Sequence, residues 1–268
     1  LKLWNLVDET EVFTLNGHSD SVNAVAIAPN SKLAISGSSD NTIKVWNLAT
    51  GVEPFILTGH SNSVNAVAVA PDGKLAISGS YDNTLKVWNL TTGAELFTLT
   101  GHSNWVNAVA IAPDGKLAIS GSDDNTLKVW NLTTRAEMFT LISSPVTSDL
   151  HPYPQPPLLS KARGWIYKSD ASGLDITGHS DSVNAVAIAP DGKLAISGSE
   201  DNTLKVWNLE TGAKLFTLTG HSSSVYALAI AVDGKLAISG SGDNTLKVWN
   251  LKTKAELFTL NGHSDWVY

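Results

Sequence analysis

Short hydrophobic runs separated by polar turn residues recur along the whole chain, and their order repeats. Within residues 59–100, four apolar or β-branched runs occupy 64–70, 74–78, 84–88 and 95–99. Runs of this length predict strands, because a helix would need about ten or more periodically spaced residues. Each repeat unit is therefore expected to form four β-strands.

A Gly-His pair marks the start of each unit and measures the period. Its glycine occurs at positions 17, 59, 101, 178, 220 and 262, so the intervals are 42 residues except for one of 77. Self-similarity at a fixed period of this size indicates a repeat architecture. Asp72-Gly73 and its equivalents supply the positive φ angles of a tight hairpin between the first two strands, and Asp82-Asn83 joins the second strand to the third.

The repeat resembles the WD40 family in three motifs taken in order: Gly-His, then Ser-Gly-Ser-x-Asp, then a tryptophan that ends the third strand. Five complete copies extend the resemblance over nearly all of the chain. It implies an all-β fold, a WD40 β-propeller in which each unit is one four-stranded blade. One departure is consistent, because the family's Trp-Asp is Trp-Asn here, at Asn5, Asn47, Asn89, Asn131, Asn208 and Asn250.

Residues 1–268 are expected to form a single propeller that begins and ends within a blade. The chain opens with a third and a fourth strand and stops in a first strand, so pairing of its two ends would close the ring. The closing blade would then lack its second strand, and further domains are expected beyond both ends. The predicted units are a partial blade at 1–15, blades at 17–58, 59–100, 101–141, 178–219 and 220–261, and the start of the closing blade at 262–268.

The long interval, residues 142–177, allows two interpretations that decide the number of blades. Prolines favour a loop, because proline cannot donate to a β-ladder. Trp165, however, precedes Gly178 by 13 residues, as Trp88 precedes Gly101, so residues 142–176 could be a degenerate blade. The propeller has seven blades in the second case and six with a long loop in the first. The prolines are Pro145, Pro152, Pro154, Pro156 and Pro157.

Composition excludes several classes of protein. The absence of cysteine removes disulfides and thiolate metal sites. Neither an apolar run of about 18 residues nor a signal-peptide pattern occurs, which predicts a cytoplasmic protein. With 18 basic and 25 acidic residues the formal net charge is −7, so nucleic acid and anionic membrane are disfavoured as partners.

The resemblance implies a structural role for the polar residues of the repeat. In similar propellers the histidine, the second-strand serine, the turn aspartate and the tryptophan of a blade form a buried hydrogen-bonded chain, which rigidifies the blade. The corresponding residues are His18, Ser36, Asp40 and Trp46; His60, Ser78, Asp82 and Trp88; His102, Ser120, Asp124 and Trp130; His179, Ser197, Asp201 and Trp207; and His221, Ser239, Asp243 and Trp249.

Serine, histidine and aspartate also compose hydrolase triads, but a triad is needed once, in a unique pocket. Here the three residues recur in every blade, so neither a catalytic residue nor enzymatic activity is predicted. No HExxH motif, calcium loop or Gly-rich phosphate loop occurs, and His151 stands alone in the proline-rich stretch. The sequence therefore predicts neither a metal site nor a cofactor.

Positions at which the repeats differ are the candidates for partner recognition. Before the turn aspartate stand Ser39, Tyr81, Asp123, Glu200 and Gly242; three residues after the histidine stand Ser21, Ser63, Trp105, Ser182, Ser224 and Trp266. Two positions further on, the usual asparagine is replaced by Tyr226. In similar propellers these positions rim the top face around the central channel. The predicted partner-binding residues are Tyr81, Trp105, Asp123, Glu200 and Tyr226.

Exposed tyrosine and tryptophan are common interface anchors, and adjacent blades could combine Tyr81 and Trp105 in one patch. Alternatively, Trp105 packs on its own blade. The sequence predicts a non-catalytic protein–protein interaction scaffold whose protein or peptide partner is basic, since the rim is acidic. Two alternatives stay open: a regulatory sensor domain of a larger NTPase or kinase, as in bacterial proteins with similarly uniform repeats, and a multivalent binder of small ligands or glycans between blades.

Overall fold

The structure is a computed structural model that describes residues 1–29, 32–141 and 178–268. In these ranges every regular element is a β-strand. The strands are β1 Lys2–Asn5, β2 Thr10–Thr14, β3 Val22–Ile27, β4 Leu33–Ser38, β5 Ile43–Asn47, β6 Phe55–Leu57, β7 Val64–Val69, β8 Leu75–Ser80, β9 Thr84–Asn89, β10 Ala94–Thr100, β11 Val106–Ile111, β12 Leu117–Ser122, β13 Leu127–Asn131, β14 Ala136–Leu141, β15 Val183–Ile188, β16 Leu194–Ser199, β17 Thr203–Asn208, β18 Lys214–Thr219, β19 Val225–Ile230, β20 Leu236–Ser241, β21 Thr245–Asn250 and β22 Ala255–Asn261.

Each complete repeat forms one antiparallel sheet whose four strands are hydrogen-bonded in chain order, which confirms the predicted all-β blade. The second strand of each blade extends further than the hydrophobic pattern indicates. Ser80, for example, pairs with Val64 at the end of the ladder, although its side chain is polar. The blades are numbered here from the first (β3–β6) to the fifth (β19–β22), and β1 and β2 form a separate two-stranded sheet.

The turns follow from a few polar side chains and one left-handed residue each. Gly73 has a φ of 68°, and the Asp72 carboxylate accepts the N–H of Lys74 at 2.9 Å, so the glycine alone supplies the positive φ of this hairpin. In the next turn Asn83 takes a φ of 68°. Asparagine tolerates this conformation better than most residues.

The consistent Trp-Asn departure leaves its turn intact. Asn89 Oδ1 accepts the N–H groups of Thr91 and Thr92 at 2.8 and 3.1 Å. An aspartate carboxylate would accept the same two bonds, since both side chains favour such turns. The substitution therefore removes a charge without changing the local fold.

Neighbouring blades lock together through a valine that sits on a glycine. Val106 begins the third blade and lies against Gly79 of the second, where an added Cβ would be 2.6 Å from its Cγ1. Around this contact the hydrophobic core lies between blades rather than within one. Its members at this junction are Ile77, Leu85, Val87 and Leu99 of the second blade and Val106, Ala118, Trp130 and Leu132 of the third.

The third and fourth blades pack on each other as other consecutive blades do. Val183 lies 2.6 Å from the position of an added Cβ on Gly121, and Trp207 packs with Val129 and Leu141 in one buried cluster. With six blades, no further blade lies between the third and the fourth, so these two must pack directly, as they do. The two interpretations of residues 142–176, degenerate blade or loop, concern a segment outside the described residues.

The two ends of the described chain do not pair with each other. In the described ranges β1 bonds only to β2, and residues 262–268 form no strand, although Val267 donates its N–H to Ser241 O of the fifth blade. Leu260 in the fifth blade is 46% exposed, whereas its counterpart Leu99 is 2% exposed. The outer face of the fifth blade is therefore uncovered.

We expect Gly79→Ala to lower the free energy of unfolding by about 1–3 kcal/mol, because a methyl group overlaps Val106 in a packed junction. The measurement is chemical denaturation followed by tryptophan fluorescence. Gly242→Ala is the matched control, since its added methyl meets the rotatable Ser223 hydroxyl at 3.0 Å and the edge of the partly exposed Tyr226 ring at 3.3 Å rather than a packed valine. Equal losses in the two variants would contradict the valine-on-glycine lock.

Candidate functional site

A chain of hydrogen bonds runs through each complete blade from its tryptophan to its turn aspartate. In the second blade, Trp88 Nε1 donates to Ser78 Oγ at 2.9 Å. His60 Nε2 lies 2.8 Å from the same hydroxyl, and His60 Nδ1 lies 2.7 Å from Asp82 Oδ2. An indole N–H can only donate and a carboxylate can only accept, so Trp88 donates to Ser78 and His60 Nδ1–H donates to Asp82. The Ser78 hydroxyl lies within hydrogen-bond distance of Nε2 and completes the chain.

The same chain is built five times with nearly constant geometry. The His Nδ1–Asp Oδ2 distance is 2.7–2.8 Å in all five complete blades. The His Nε2–Ser Oγ distance is also 2.7–2.8 Å. The Trp Nε1–Ser Oγ distance is 2.8–2.9 Å. The chains comprise His18–Ser36–Asp40–Trp46, His60–Ser78–Asp82–Trp88, His102–Ser120–Asp124–Trp130, His179–Ser197–Asp201–Trp207 and His221–Ser239–Asp243–Trp249.

Each chain ties two loops together through its aspartate. Asp82 also accepts the Thr84 hydroxyl at 2.6 Å and the N–H of Ser61 at 3.0 Å. Burial alone would raise the pKa of Asp82, but the hydrogen bonds from His60 and Thr84 outweigh burial and hold the pKa well below its usual range. The threonine was missed by sequence reasoning, although Asp-Asn-Thr recurs in every blade.

These polar residues are built into the fold and closed to substrates. Ser78 is 1% exposed, and its hydroxyl already binds both Trp88 and His60. A nucleophile must reach the carbonyl that it attacks. Within the part of the chain that the structure describes, no group of three His, Cys, Asp or Glu side chains is placed to hold a metal ion.

The predicted partner-binding residues lie at one edge of the blades. In an antiparallel sheet, the start of strands one and three and the end of strands two and four share an edge. The loops carrying Trp105 and Tyr81 therefore reach the same side of the ring, called here the upper face. Tyr81 of the second blade stacks on Trp105 of the third, with ring centroids 4.0 Å apart and planes inclined by 18°. Trp105 thus packs on its neighbour's tyrosine, and 42% of it stays exposed.

Two carboxylates continue this edge on the next blades. Asp123 donates its backbone N–H to Trp105 O at 3.0 Å and accepts from Asn107 Nδ2 at 2.6 Å. Burial, followed by the negative charge of Asp123, raises the pKa of the Tyr81 hydroxyl. Glu200 is exposed and accepts from Asn184 Nδ2 at 3.4 Å. Tyr81, Trp105 and Asp123 therefore form one continuous patch, which Glu200 follows one blade later.

Tyr226 lies apart from this patch, on the fifth blade, and contacts two aromatic residues that are not among the predicted partner-binding residues. Its ring centroid is 5.8 Å from that of Trp266 and 5.0 Å from that of Tyr268. The signal that could have identified Trp266 was its position in the repeat, which is the position of Trp105. Tyr268 carried the same signal as Tyr226, because it occupies the same position of the repeat, where the other units have asparagine.

Comparison with known proteins identifies the family. The sequence profile described as "WD domain, G-beta repeat" matches residues 9–47, 51–89, 93–131, 172–208 and 212–250, well over half of the chain. The chain therefore belongs to the WD40 repeat family, as its Gly-His and Ser-Gly-Ser-x-Asp motifs predict. In the described ranges, no helix has the length and apolar character needed to cross a membrane.

Similar curated proteins match only part of this chain. Nuclear distribution protein PAC1 of Debaryomyces hansenii is 34% identical over 61 residues, 23% of this chain and 10% of that protein. The PAC1 protein of Scheffersomyces stipitis is 38% identical over 65 residues, 24% and 11% of the two chains. Periodic tryptophan protein 2 homolog of Dictyostelium discoideum is 40% identical over 48 residues, 18% and 5%. The chain thus spans about a tenth or less of these eukaryotic relatives, which do not support a bacterial origin.

We expect His60→Ala to lower the free energy of unfolding by about 2–3 kcal/mol, because it leaves Asp82 and Ser78 buried without their shared partner. Thermal melting measures the loss. His263→Ala is the matched control, since His263 is exposed and has no aspartate or serine partner in the described structure. An unchanged melting temperature in His60→Ala would refute a stabilising role for the chain.

Stability should fall as the pH drops from about 7.5 to about 5. Burial lowers the pKa of His179 and of His221 below the ordinary 6.5, against the opposing effect of their hydrogen bonds to Asp201 and Asp243. The native state then binds fewer protons than the unfolded state, so this stability is present above about pH 6.5 and is lost below it. The aspartates stay ionised throughout this window and add no slope.

Melting temperatures across this pH range provide the measurement, with a drop of several degrees expected. Replacing both His179 and His221 by glutamine should lower the melting temperature at pH 7.5 and flatten its dependence on pH. A wild-type melting temperature that is constant or rises toward pH 5 would contradict the neutral imidazoles.

Proposed function

We propose that this chain is a protein-interaction platform that binds its partner through the patch of Tyr81, Trp105 and Asp123 on the upper face. The observation that carries the proposal is the stacked Tyr81–Trp105 pair, which leaves Trp105 42% exposed at a junction between two blades. The repeats of this family provide a rigid support beneath the pair, and the pair is one of the few features that the repeats do not share.

The stacked pair of Tyr81 and Trp105 is better suited to binding a partner than to stabilising the fold. Exposed aromatic rings lose little conformational freedom when a partner covers them, because stacking has already fixed their orientation. Tryptophan and tyrosine contribute more to interface affinity than most residues do. Other blades have serine at the position of Trp105, namely Ser21, Ser63, Ser182 and Ser224, so the fold itself does not need a tryptophan there.

Charge favours a basic partner. Asp123 lies beside the aromatic pair, Glu200 follows on the next blade, and the whole chain carries a formal net charge of −7. An acidic rim attracts basic loops or peptides and accelerates their association. The repeated Ser-His-Asp residues add no catalysis to this proposal, because they are buried and already paired within each blade.

The identical features of the blades support the glycan-binder alternative less well. The recurring serine, histidine and aspartate side chains already bond to one another within each blade. A shallow cavity of about 330 Å³ lies between the third and fourth blades and is lined by Ala112, Pro113, Asp114, Leu117, Asp191 and Gly192, none of them aromatic. Binding sites for sugars and drug-like ligands usually combine aromatic walls with a few polar groups.

The test is selection of a random peptide library on the immobilised protein, with counter-selection on Trp105→Ser. Selected peptides should be rich in arginine or lysine and should bind Tyr81→Ser and Trp105→Ser at least about tenfold more weakly than wild type. Serine stands at both positions in other blades, so both variants should fold.

Trp4→Ser provides the matched control, since Trp4 is 49% exposed on β1 and lies outside the patch. Peptides that bind wild type and Trp105→Ser equally well would overturn the proposal, and weakened binding to Trp4→Ser would indicate nonspecific attraction to exposed tryptophan.

A further inference from the structure

The repeat position of Trp105 is occupied by tryptophan a second time, at Trp266, and the structure holds both in the same way. Each backbone N–H is donated to the side chain of the preceding residue: Trp105 to Asn104 at 2.9 Å and Trp266 to Asp265 at 2.8 Å. The valine after each tryptophan lies on the glycine of the preceding blade, 2.6 Å from an added Cβ for Val106 and 2.7 Å for Val267. The two tryptophans therefore occupy equivalent positions on the upper face.

Each of these tryptophans meets a tyrosine of the preceding blade, but the tyrosine comes from a different position. Trp105 stacks on Tyr81, which follows the second strand, whereas Trp266 stacks on Tyr226 of the first strand β19, with planes inclined by 26°. Gly242 takes the place of Tyr81 in the fifth blade. A Cβ at Gly242 would be 3.3 Å from Tyr226, so the glycine makes room for this ring.

Junctions without tryptophan lack the aromatic pair. Ser63, Ser182 and Ser224 fill the tryptophan position at the starts of the second, fourth and fifth blades, and the described structure shows no tyrosine–tryptophan contact there. The pair is thus a local feature made twice by different residues. A stacked tyrosine–tryptophan pair is formed at two junctions from tyrosines at different repeat positions, which indicates that the pair itself has a function.

The chemistry of the second pair matches that of the first. Trp266 is 53% exposed and Tyr268 is 76% exposed, which leaves aromatic faces open to solvent. Asp265 precedes Trp266 and accepts its backbone N–H at 2.8 Å, so a carboxylate lies beside the second aromatic cluster, as Asp123 lies beside the first. An aromatic face beside a carboxylate suits an ammonium or guanidinium group, which both attract.

The two pairs are three blade junctions apart on one face. The junctions between the second and third, third and fourth, and fourth and fifth blades all form through the same contact of valine on glycine. The two pairs therefore lie on the same face, three equal steps apart around the ring, and a partner that contacts both must span that arc.

We propose that Tyr226, Trp266 and Tyr268 form a second anchor on the upper face, and that one basic partner with two like cationic side chains binds both anchors at once. The partner class rests on the proposed function of the first patch. Joining two weak contacts in one partner makes the second contact intramolecular and raises the overall affinity without any new interaction. Each anchor can then be weak on its own, because a partner that engages both is still bound selectively.

The first measurement uses the full chain labelled with 5-fluorotryptophan and a blocked Gly-Ser-Arg-Lys-Arg-Ser-Gly peptide. Fluorine NMR signals of Trp105 and Trp266, assigned with Trp105→Ser and Trp266→Ser, should both shift during titration, while that of exposed Trp4 should not. A Trp266 signal that stays in place would overturn the second anchor.

The second measurement compares this peptide with two copies of it joined by flexible Gly-Ser linkers of graded length. The best linked probe should bind wild type at least about tenfold more tightly than the single peptide. Both Trp105→Ser and Trp266→Ser should abolish this gain while melting normally. A gain that persists in Trp266→Ser, or no gain at any linker length, would refute simultaneous binding.

The outcomes separate the two proposals. If Trp105 responds to the single peptide and Trp266 does not, the second anchor fails and the first patch stands. If Trp266 responds alone, the patch of Tyr81, Trp105 and Asp123 fails as the primary site, and the proposal of joint binding fails with it. Equal shifts of Trp4, Trp105 and Trp266 would show attraction by net charge only, which would overturn both.

Discussion

The hydrogen bond from histidine to aspartate is the interaction on which the upper face depends. Asp82 receives His60 from the loop before the first strand and Thr84 from the turn before the third, so one carboxylate joins two loops that are 22 residues apart. The aromatic residues of the upper face stand on these same loops. A rigid internal polar chain thereby positions side chains that differ from blade to blade, and the cost of burying polar groups is offset by complete pairing.

The sequence predicted the structure best where the same pattern of residues recurs in every repeat. Four strands per unit could be predicted because the pattern recurs five times, whereas the chain of His60, Ser78, Asp82 and Trp88 was implied by the resemblance to the WD40 family. Strand ends were predicted less well, since Ser80 is held in the ladder by pairing with Val64 rather than by hydrophobic character. The Asp72-Gly73 turn showed the same limit, because positive φ angles were expected at both residues and only Gly73 takes one.

The candidate site divides in the same way. That Tyr81 and Trp105 belong to adjacent blades was evident from the period, but the period could not tell whether their rings would meet or pack separately. Tyr226, Trp266 and Tyr268 all stand at exceptional positions of the repeat, yet the sequence could not show that their rings would meet. Contacts among exceptional residues depend on rotamers and on absent side chains such as that of Gly242, which no repeat pattern encodes.

The lock of valine on glycine has a consequence for how such a ring can change. Val183 fits Gly121 as Val106 fits Gly79, although the third and fourth blades are separated by 35 more residues than the second and third. The junction between the third and fourth blades therefore forms despite the 35 extra residues. Inserted sequence is tolerated between these two blades. Whole repeats can then be duplicated, lost or inserted while the valine-on-glycine contacts of the other blades stay the same. The connection between the third and fourth blades is also a suitable place to insert a foreign domain.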